Sequence, residues 1–359
     1  MNIKAALLKR LTRKACKGEF NPGEFKQILI VRPAKIGDTI CMLPLIRELK
    51  KSLPAAEIDV YAGTDNNFMF RYVPQIRRVY TRYKRRRALS TVVDILKMRA
   101  NHYDLVIDTM DIRFGKVLSL LLINADWLVA NAGFESRYGI DNSDLQLYSR
   151  LNSWKRIHTT ERLLEYLHLL GIRNYDSTMV FPVGDEAMAF AETFLEPYQH
   201  NRLIGLNADA SSRERSILDP EIIAICRGIS RHDSNIKILL FCTPDRRSHM
   251  QTLVAHAQLD NVIIEHGTTS IFDAAALTSQ MNVMVSPDTS FIHIASAFDI
   301  PTVAIYQNDP DHLIYWGPRS SRHVVIQPQQ SDASIRGFSV DETVAAAISL
   351  LQVNTAAAT

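Results

Sequence analysis

The sequence predicts an α/β protein made of two Rossmann-like, doubly wound parallel-sheet domains that face a cleft. Apolar runs of strand length alternate with stretches of helical pattern, which is typical of parallel βαβ units. The alternation occurs twice, and the second series begins near residue 200. A length of 359 residues suits two domains. We place them at 1–185 and 186–359.

The first series begins with the apolar run at 27–31, which continues through a turn at 32–38 into a helix over 39–53. Apolar runs without alternation indicate strands that are covered on both faces. Two more strands are predicted at 57–62 and 105–108, and a helix at 88–101.

The second series has the same pattern and is longer. Its predicted strands are 203–207, 237–241, 262–264, 283–285 and 302–306. Its predicted helices are 219–230, 245–258, 271–279 and 290–298. A last helix is predicted over 339–352, and it could pack back on the first domain.

Composition excludes several classes of protein. Hydrophobic residues make up 47% and charged residues 22%, which is a globular composition. A net charge of +3 is too small to predict a nucleic-acid partner. The scattered cysteines indicate reduced thiols in a cytoplasmic protein, with neither a disulfide framework nor a zinc site. They are Cys16, Cys41, Cys226 and Cys242.

The amino-terminal segment is basic and predicts an amphipathic helix over residues 1–20. Its cations are Lys4, Lys9, Arg10, Arg13, Lys14 and Lys17, and Ile3, Leu7, Leu8 and Leu11 fall between them at helical spacing. Such a helix can lie on an anionic membrane surface. It can equally pack its leucines on the protein body. No stretch has the roughly 20 apolar residues of a membrane span.

A second basic run covers 77–87, where seven cations stand among tyrosines. This run would suit a phosphorylated acceptor or lipid headgroups. Charge runs are also common on solvated faces, and no RNA-binding module surrounds this one.

The first candidate site follows the first strand, from Arg32 to Thr39. Gly37 permits a tight turn or the close approach of a ligand. Asp38 would then project into the cleft, where a carboxylate can accept a proton from a sugar hydroxyl. Its alternative role is the N-cap of a helix beginning at Thr39. The absence of a G-x-G-x-x-G or Walker motif counts against nicotinamide and P-loop enzymes.

Two further candidates lie in the second series. The loop 207–216 contains serines and arginines that could grip a phosphate, or it could be a solvated loop. The segment 283–295 reads as strand, turn and helix, with Thr289 and Ser290 as N-cap candidates and His293 one turn later. A helix N-terminus with hydroxyls and an imidazole can hold a diphosphate without a metal. The alternative is a capped helix with a buried histidine.

A possible metal motif, Asp309-Pro310-Asp311, resembles the Asp-x-Asp of metal-dependent sugar transferases. No histidine or carboxylate cluster with metal spacing accompanies it, so we predict no metal. His312, Tyr315 and Trp316 follow, and they suit either a nucleotide edge or packing between domains.

Three motifs together resemble the ADP-heptose:lipopolysaccharide heptosyltransferases, glycosyltransferase family 9. They are Arg32…Ile36-Gly37-Asp38…Pro44, then Asp288-Thr289-Ser290…His293…Ala295-Ser296-Ala297, and Ile300-Pro301-Thr302-Val303-Ala304-Ile305-Tyr306 ending at Trp316-Gly317-Pro318. The resemblance covers roughly residues 27–330. It implies a GT-B fold, with acceptor on the first domain and nucleotide sugar on the second, and inversion at the anomeric carbon without metal or cofactor.

The resemblance also implies roles for single residues. Asp38 would be the general base. The donor would be bound by Ser211, Ser212, a basic residue of Arg213 or Arg215, Asp288, Thr289, Ser290 and His293. For the acceptor we assign Arg32, Lys35, Gly37, Arg85 and Arg86. Ser290 stands where the family usually has glycine.

The leading hypothesis is therefore transfer of a heptose from ADP-heptose to a lipid-linked, phosphorylated lipopolysaccharide core at the inner membrane surface. The protein would be cytoplasmic and peripherally bound to that membrane. One alternative is a GT-B transferase or sugar-nucleotide epimerase with another nucleotide sugar. A non-catalytic module that binds sugar nucleotide or lipopolysaccharide is the alternative of a different class.

Overall fold

A computed structural model describes residues 3–12, 19–133, 135–233, 235–330 and 333–356. The chain divides into two compact units, Met1–Thr178 and Met179–Thr359. This division falls a few residues before the boundary that we placed after residue 185.

The described part of the first unit contains one sheet of six parallel strands. They are β1 (Gln27–Arg32), β2 (Glu57–Gly63), β3 (Ile76–Arg82), β4 (Tyr103–Asp108), β5 (Ala125–Ala132) and β6 (Arg150–Ser153). The helices are α1 (Ile3–Leu11), α2 (Ile36–Ile40), α3 (Leu43–Ser52), α4 (Ala88–Ala100), α5 (Phe114–Leu122) and α6 (Thr159–Leu169). The strand order is β3-β2-β1-β4-β5-β6. The order reverses between β1 and β4, where such sheets open a crevice at their carboxyl ends.

The described part of the second unit repeats this plan. Its strands are β7 (Arg202–Asn207), β8 (Ile236–Phe241), β9 (Val262–Ile264), β10 (Val283–Pro287), β11 (Thr302–Ile305) and β12 (His323–Ile326). Its helices are α7 (Asp185–Leu195), α8 (Asp219–His232), α9 (Arg247–His256), α10 (Ile271–Ser279), α11 (Ser290–Ala297), α12 (Pro310–Trp316) and α13 (Val340–Ala356). The strand order β12-β11-β10-β7-β8-β9 reverses between β10 and β7.

These two doubly wound parallel sheets confirm the predicted α/β class. The central strands are buried along their length because helices cover both faces of each sheet, as their continuous apolar sequences predict. The core of the second unit includes Ala347, Ile348 and Leu351 of α13. The buried face of α13 thus packs on its own unit, against α8 and the sheet.

Two predicted helices differ from the structure. The single helix over 39–53 was wrong, because α2 begins at Ile36 and α3 begins at Leu43. Pro44 lies in the first turn of α3, a position where its missing N–H costs nothing. The amino-terminal helix ends at Leu11, and Thr12, Glu19 and Phe20 are not helical. Arg13, Lys14 and Lys17 lie outside the described residues.

The apolar residues of α1 are mostly not buried. Leu8 is fully buried with Ala5, whereas Ile3, Leu7 and Leu11 are 85%, 42% and 44% exposed. Of the three leucines of α1, only Leu8 is therefore packed against the rest of the first unit. Among the described residues, we find no helix that combines the length and the hydropathy needed to cross a membrane.

Candidate active site

Asp38 lies at the carboxyl end of β1, beside the reversal of strand order in the first sheet. Since α2 begins at Ile36, Asp38 stands in its first turn and is not the N-cap, contrary to the alternative that we considered. Its Oδ1 accepts a hydrogen bond of 2.8 Å from Arg32 Nη2. Its Oδ2 accepts only a long bond, 3.4 Å, from the backbone N–H of Lys35. The side chain is 26% exposed, and Oδ2 keeps capacity to accept a further hydrogen bond.

Arg32 holds this carboxylate in place. The Arg32 side chain is 7% exposed and spans the gap between two strands. Its Nη1 donates to the backbone carbonyl of Thr109 at 2.9 Å, just beyond β4, while its Nη2 donates to Asp38. A buried guanidinium with two directed bonds fixes Asp38 relative to the sheet. The predicted acceptor residue Arg32 is thus placed to position Asp38.

Asn66 was not predicted as part of this site, although it organises the backbone there. It is fully buried in the loop after β2, and its Nδ2 donates to Arg32 O and to Thr39 Oγ1, both at 2.8 Å. Its Oδ1 accepts from Gly63 N at 2.8 Å. One amide therefore ties the ends of β1 and β2 to α2. No local sequence signal marks it, because its partners are distant along the chain.

A buried charge network supports the neighbouring end of β4. Asp108 and Lys116 form an ion pair in which both side chains are completely buried. Tyr148 donates to Asp108 Oδ2 at 2.5 Å, and Tyr166 donates to the Asp108 carbonyl at 2.6 Å. Burial, together with the charge of Asp108, raises the pKa of Tyr148 well above its ordinary value, so the phenol stays a donor. This network fixes the backbone whose Thr109 carbonyl receives Arg32.

The other predicted acceptor residues are placed less directly. Lys35 is exposed and Gly37 is half-buried within α2. Arg85 and Arg86 belong to a 3-10 turn before α4, where Arg86 is exposed. Part of the basic run instead has a structural role, because Arg77 pairs in β3 with the fully buried Asp59 at 2.6 Å.

The second unit has a matching polar centre at its own reversal of strand order. Asn207, the last residue of β7, donates from Nδ2 to Ser286 Oγ at 3.0 Å and to Thr289 Oγ1 at 3.1 Å. Thr289 is the N-cap of α11 and accepts from Phe291 N at 3.2 Å, as the sequence predicted. Asn207 therefore connects β7 to β10 and to the N-terminus of α11.

Asp288 is the centre of a cationic cluster formed from three separate segments. Its Oδ2 accepts from His312 Nε2 at 2.6 Å and from Arg215 Nη1 at 3.2 Å. Arg215 also donates to Ser211 Oγ. The structure thus selects Arg215 for this group. Arg213 is exposed at the start of the same 3-10 turn, and its carbonyl accepts from Arg336.

The electrostatics of this cluster favour negative charge. Burial would raise the pKa of Asp288, but the hydrogen bond from His312 and the charges of His312, His293 and Arg215 lower it below its ordinary value. Three potential cations thus lie close to one carboxylate, next to the N-terminus of α11. A helix N-terminus carries free N–H groups and a partial positive charge, so a second anion would also be stabilised there.

The remaining predicted donor residues lie around this cluster. Ser290 is the first residue of α11, and His293 follows one turn later. His293 is 4% exposed and packs edge-on against Trp316, with ring centroids 6.2 Å apart. Ser212 contributes its backbone carbonyl, which accepts from Ser216 Oγ at 2.8 Å.

Arg246 is a polar residue of this unit that the sequence did not assign to the site, and for His312 the sequence left open a nucleotide edge or packing between domains. His312 arrives from α12, more than twenty residues beyond Asp288. Arg246 pairs with Asp209 in the loop after β7. Both contacts depend on which strand ends are neighbours, which sequence spacing alone does not reveal.

The Asp-x-Asp motif has a local structural role. Asp309 is the N-cap of α12, and its Oδ1 accepts from Asp311 N at 3.0 Å and from His312 N at 3.1 Å. Within the first unit, His102, Asp104 and Asp126 bring potential metal-ligand atoms together. They lie at the amino ends of β4 and β5, the edge of the sheet opposite Asp38, and Asp104 already accepts from the backbone N–H groups of Lys26 and Gln27.

Comparison with known proteins decides the family. The family model for glycosyltransferase family 9 (heptosyltransferase) matches residues 95–336. The chain belongs to this family. It is therefore a glycosyltransferase, as its motifs predicted.

Curated relatives of this family are similar over most of their length. The lipopolysaccharide core heptosyltransferase OpsX of Haemophilus influenzae is 19% identical over 286 residues, which cover 78% of this chain and 79% of the relative. Lipopolysaccharide heptosyltransferase 3 of Escherichia coli is 22% identical over 302 residues, covering 80% and 85%.

Solved structures of the family share the fold. A family 9 glycosyl transferase from Veillonella parvula has a TM-score of 0.77 at 17% identity, over 92% of this chain and 99% of that one. E. coli ADP-heptose lipopolysaccharide heptosyltransferase II has 0.69 at 17%, with the same coverage. E. coli heptosyltransferase WaaC, solved with ADP, has 0.66 at 18%, over 88% and 97%. The predicted GT-B fold is confirmed.

The Asp288 cluster predicts a pH-dependent contribution to stability. Its lowered pKa means that the carboxylate stabilises the fold above the unfolded-state pKa of about 4, and that this stability is lost as the pH falls through the folded-state value. We expect D288N to lower the free energy of unfolding by about 1–3 kcal/mol at pH 7. The difference from the parent protein should shrink in more acidic buffer.

Urea unfolding of the full chain tests this. With Trp127 and Trp154 replaced by phenylalanine, Trp316 is the remaining tryptophan and its fluorescence reports on the second unit. The exposed Asp260 provides the control D260N, which should match the parent. A D288N deficit that stays constant with pH would contradict the assignment.

Proposed function

We propose that this glycosyltransferase moves a heptose from ADP-heptose to the core oligosaccharide of a lipid-linked lipopolysaccharide, with inversion and without a metal. Membership in the heptosyltransferase family supports heptose transfer in core synthesis. Solved relatives that bind ADP and ADP-2-deoxy-2-fluoro heptose support the donor. The observation that carries the mechanism is the partly exposed Asp38 carboxylate, with Oδ1 anchored by Arg32 and Oδ2 holding only a long bond from Lys35 N.

In this proposal the first unit binds the acceptor and Asp38 is the general base. An acceptor hydroxyl attacks the anomeric carbon of the heptose, and its proton passes to Oδ2 of Asp38. Oδ2 takes this role because Oδ1 accepts from Arg32 while Oδ2 has only the weak bond from Lys35 N. The new C–O bond forms on the face opposite the departing phosphate, which inverts the anomeric configuration.

The second unit then stabilises the leaving group. As the bond between the anomeric carbon and the phosphate oxygen breaks, its electron pair leaves with ADP and negative charge grows on the diphosphate. Arg215, His312 and the N-terminus of α11 are positive groups already held in place by Asp288 and Thr289. Preorganised positive groups of this kind lower the barrier without a metal.

The acceptor and the membrane complete the proposal. A lipid-linked core would place the enzyme peripherally at the cytoplasmic side of the inner membrane. The cations of α1, together with Arg86 and Arg87 before α4, suit phosphorylated or lipid headgroups. Family membership favours transfer over an epimerase or a non-catalytic binding module.

The role of Asp38 is tested by D38N. An amide cannot accept the proton, so we expect transfer to fall by about 10²–10⁴-fold while ADP binding is retained. Rates on candidate acceptors are measured by mass spectrometry of the product. D65N is the control, because Asp65 is an exposed aspartate in the same unit whose side-chain partners are the surface Lys84 and the neighbouring Thr64. A near-normal rate for D38N would remove Asp38 from this role.

If His293 contacts the donor, H293A should bind ADP less tightly. We expect the affinity to fall by about tenfold, because one hydrogen bond to a charged group is lost. Isothermal calorimetry measures the affinity. H256A changes an exposed histidine of the same unit and should bind as the parent does. Because His293 is buried, thermal melting of both variants accompanies the titration, and unchanged affinity in folded H293A would reject the contact.

Metal independence predicts that transfer continues at an unchanged rate after dialysis against EDTA. The reason is that Arg215, His312 and the α11 N-terminus supply the positive charge that a metal would otherwise provide. The rate is compared before and after chelation, and again with added Mn²⁺ or Mg²⁺. Loss of activity that either ion restores would overturn this part of the proposal.

A further inference from the structure

Helix α4 carries a continuous apolar stripe on its solvent side. Leu89, Val92, Val93 and Leu96 follow the spacing i, i+3, i+4, i+7 and are 83%, 50%, 48% and 58% exposed. The opposite side of the helix holds Ile95 and Met98, which are buried in the core of the first unit. The helix is therefore apolar on two faces but packs through one.

Cations border this stripe on both sides. At 100° per residue, Lys97 and Arg99 fall about 80° to either side of the centre of the stripe. Both are exposed, and Arg86 and Arg87 lie just before the helix. Asp94 is the one acidic residue of α4. It accepts from Thr81 N at 2.8 Å and pairs with Lys97 Nζ at 3.6 Å, while the Lys97 side chain stays 63% exposed.

Helix α1 presents a similar surface on the same side of the sheet. Both α1 and α4 pack on α5, and their buried residues Ala5, Leu8, Ile95 and Met98 belong to one core cluster. Ile3, Leu7 and Leu11 of α1 are exposed beside Arg10. We call these exposed apolar and basic residues of α1 and α4 the basic-apolar face.

We propose that the basic-apolar face docks on an anionic phospholipid bilayer, with the stripe of α4 inserted among the acyl chains near the headgroups. Apolar side chains bordered by lysine and arginine match this interface, since long cationic side chains reach the phosphates while their stems stay apolar. A second copy of the chain is a poorer occupant, because a symmetric contact through this face would bring like charges together.

This inference deepens the proposed function, on which it rests for the lipid-linked acceptor, and it assigns the surface that meets the membrane. It can nevertheless be tested without sugar transfer. The full chain is sedimented with vesicles of phosphatidylcholine alone or mixed with phosphatidylglycerol, at low and at high salt. We expect binding to the anionic vesicles that weakens with salt.

Two sets of variants separate the apolar and the charge contributions. The triple variant L89Q/V93Q/L96Q replaces three exposed apolar side chains with glutamine, which is a good helix former. Its control is F68Q, which changes an exposed apolar residue elsewhere in the first unit. The double variant K97E/R99E is matched by R173E/R231E, which makes the same change in net charge at two exposed arginines.

We expect the triple variant and K97E/R99E each to lower the vesicle partition constant by about tenfold or more, with unchanged helical circular dichroism, and both controls to bind as the parent does. Absence of parent binding to anionic vesicles, or parent-like binding by the triple variant, would overturn the proposal. So would a parent dimer in sedimentation velocity that the triple variant converts to monomer. Transfer of the sugar to a detergent-dispersed acceptor should be the same in all variants. Loss of vesicle binding without loss of transfer, or the reverse, therefore separates this proposal from the proposed function.

Discussion

In each unit, a polar side chain at the end of the first central strand bonds across the point where strand order reverses. Arg32 ends β1 and donates to the Thr109 carbonyl beyond β4, and Asn207 ends β7 and donates to Ser286 on β10. At this point the adjacent helices leave in opposite directions, so no helix covers the strand ends and polar groups there need side-chain partners. The same two side chains also orient the site residues, because Arg32 donates to Asp38 and Asn207 donates to Thr289.

In the two centres the anchoring side chain carries opposite charge. The first uses a buried cation to hold an accessible carboxylate, and the second uses a buried carboxylate, Asp288, to hold Arg215 and His312. A held carboxylate suits acceptance of a proton, and held cations suit a diphosphate. In both centres the anchoring charge is the more buried member, so the functional groups keep their geometry before a substrate arrives.

Anchoring through buried charge has a structural cost that the surroundings offset. An isolated pair such as Asp108 and Lys116 loses more solvation than its attraction returns unless the remaining polar atoms are satisfied. Tyr148, Met110 N and the Met110 carbonyl supply those bonds. The β4 end is thereby fixed at the one place where its backbone must accept from Arg32.

Sequence patterns predicted the central strands of both sheets, and three of the four strands that they missed lie at sheet edges. Runs such as Gln27–Arg32 are apolar because both faces are covered, and this was sufficient to predict them. β3 and β6 are edge strands and were missed, because edge strands tolerate charged residues. The sequence of β3 was interpreted as part of a basic run. β5 and β12 were not predicted either.

Within the candidate site, the motif residues were predicted from local spacing and family resemblance, as with Asp38 and Thr289. Asn66 was not predicted, and neither was the contact of His312 with Asp288, because each residue reaches its partner through the order of the strands, which sequence spacing does not reveal. The choice of Arg215 over Arg213 likewise needed the positions of Ser211 and Asp288.

Helix α4 shows how a sequence pattern can be correct and still conceal a surface. The sequence predicted a helix over 88–101 and did not specify which of its apolar residues are buried. The structure buries Ile95 and Met98 and leaves Leu89 and Leu96 in solvent. Water is a poor environment for a stripe of four aliphatic side chains, and surface apolar residues are ordinarily scattered singly. With cations on both borders and a single occupied acid, the stripe has the chemistry of a boundary between an anionic layer and hydrocarbon.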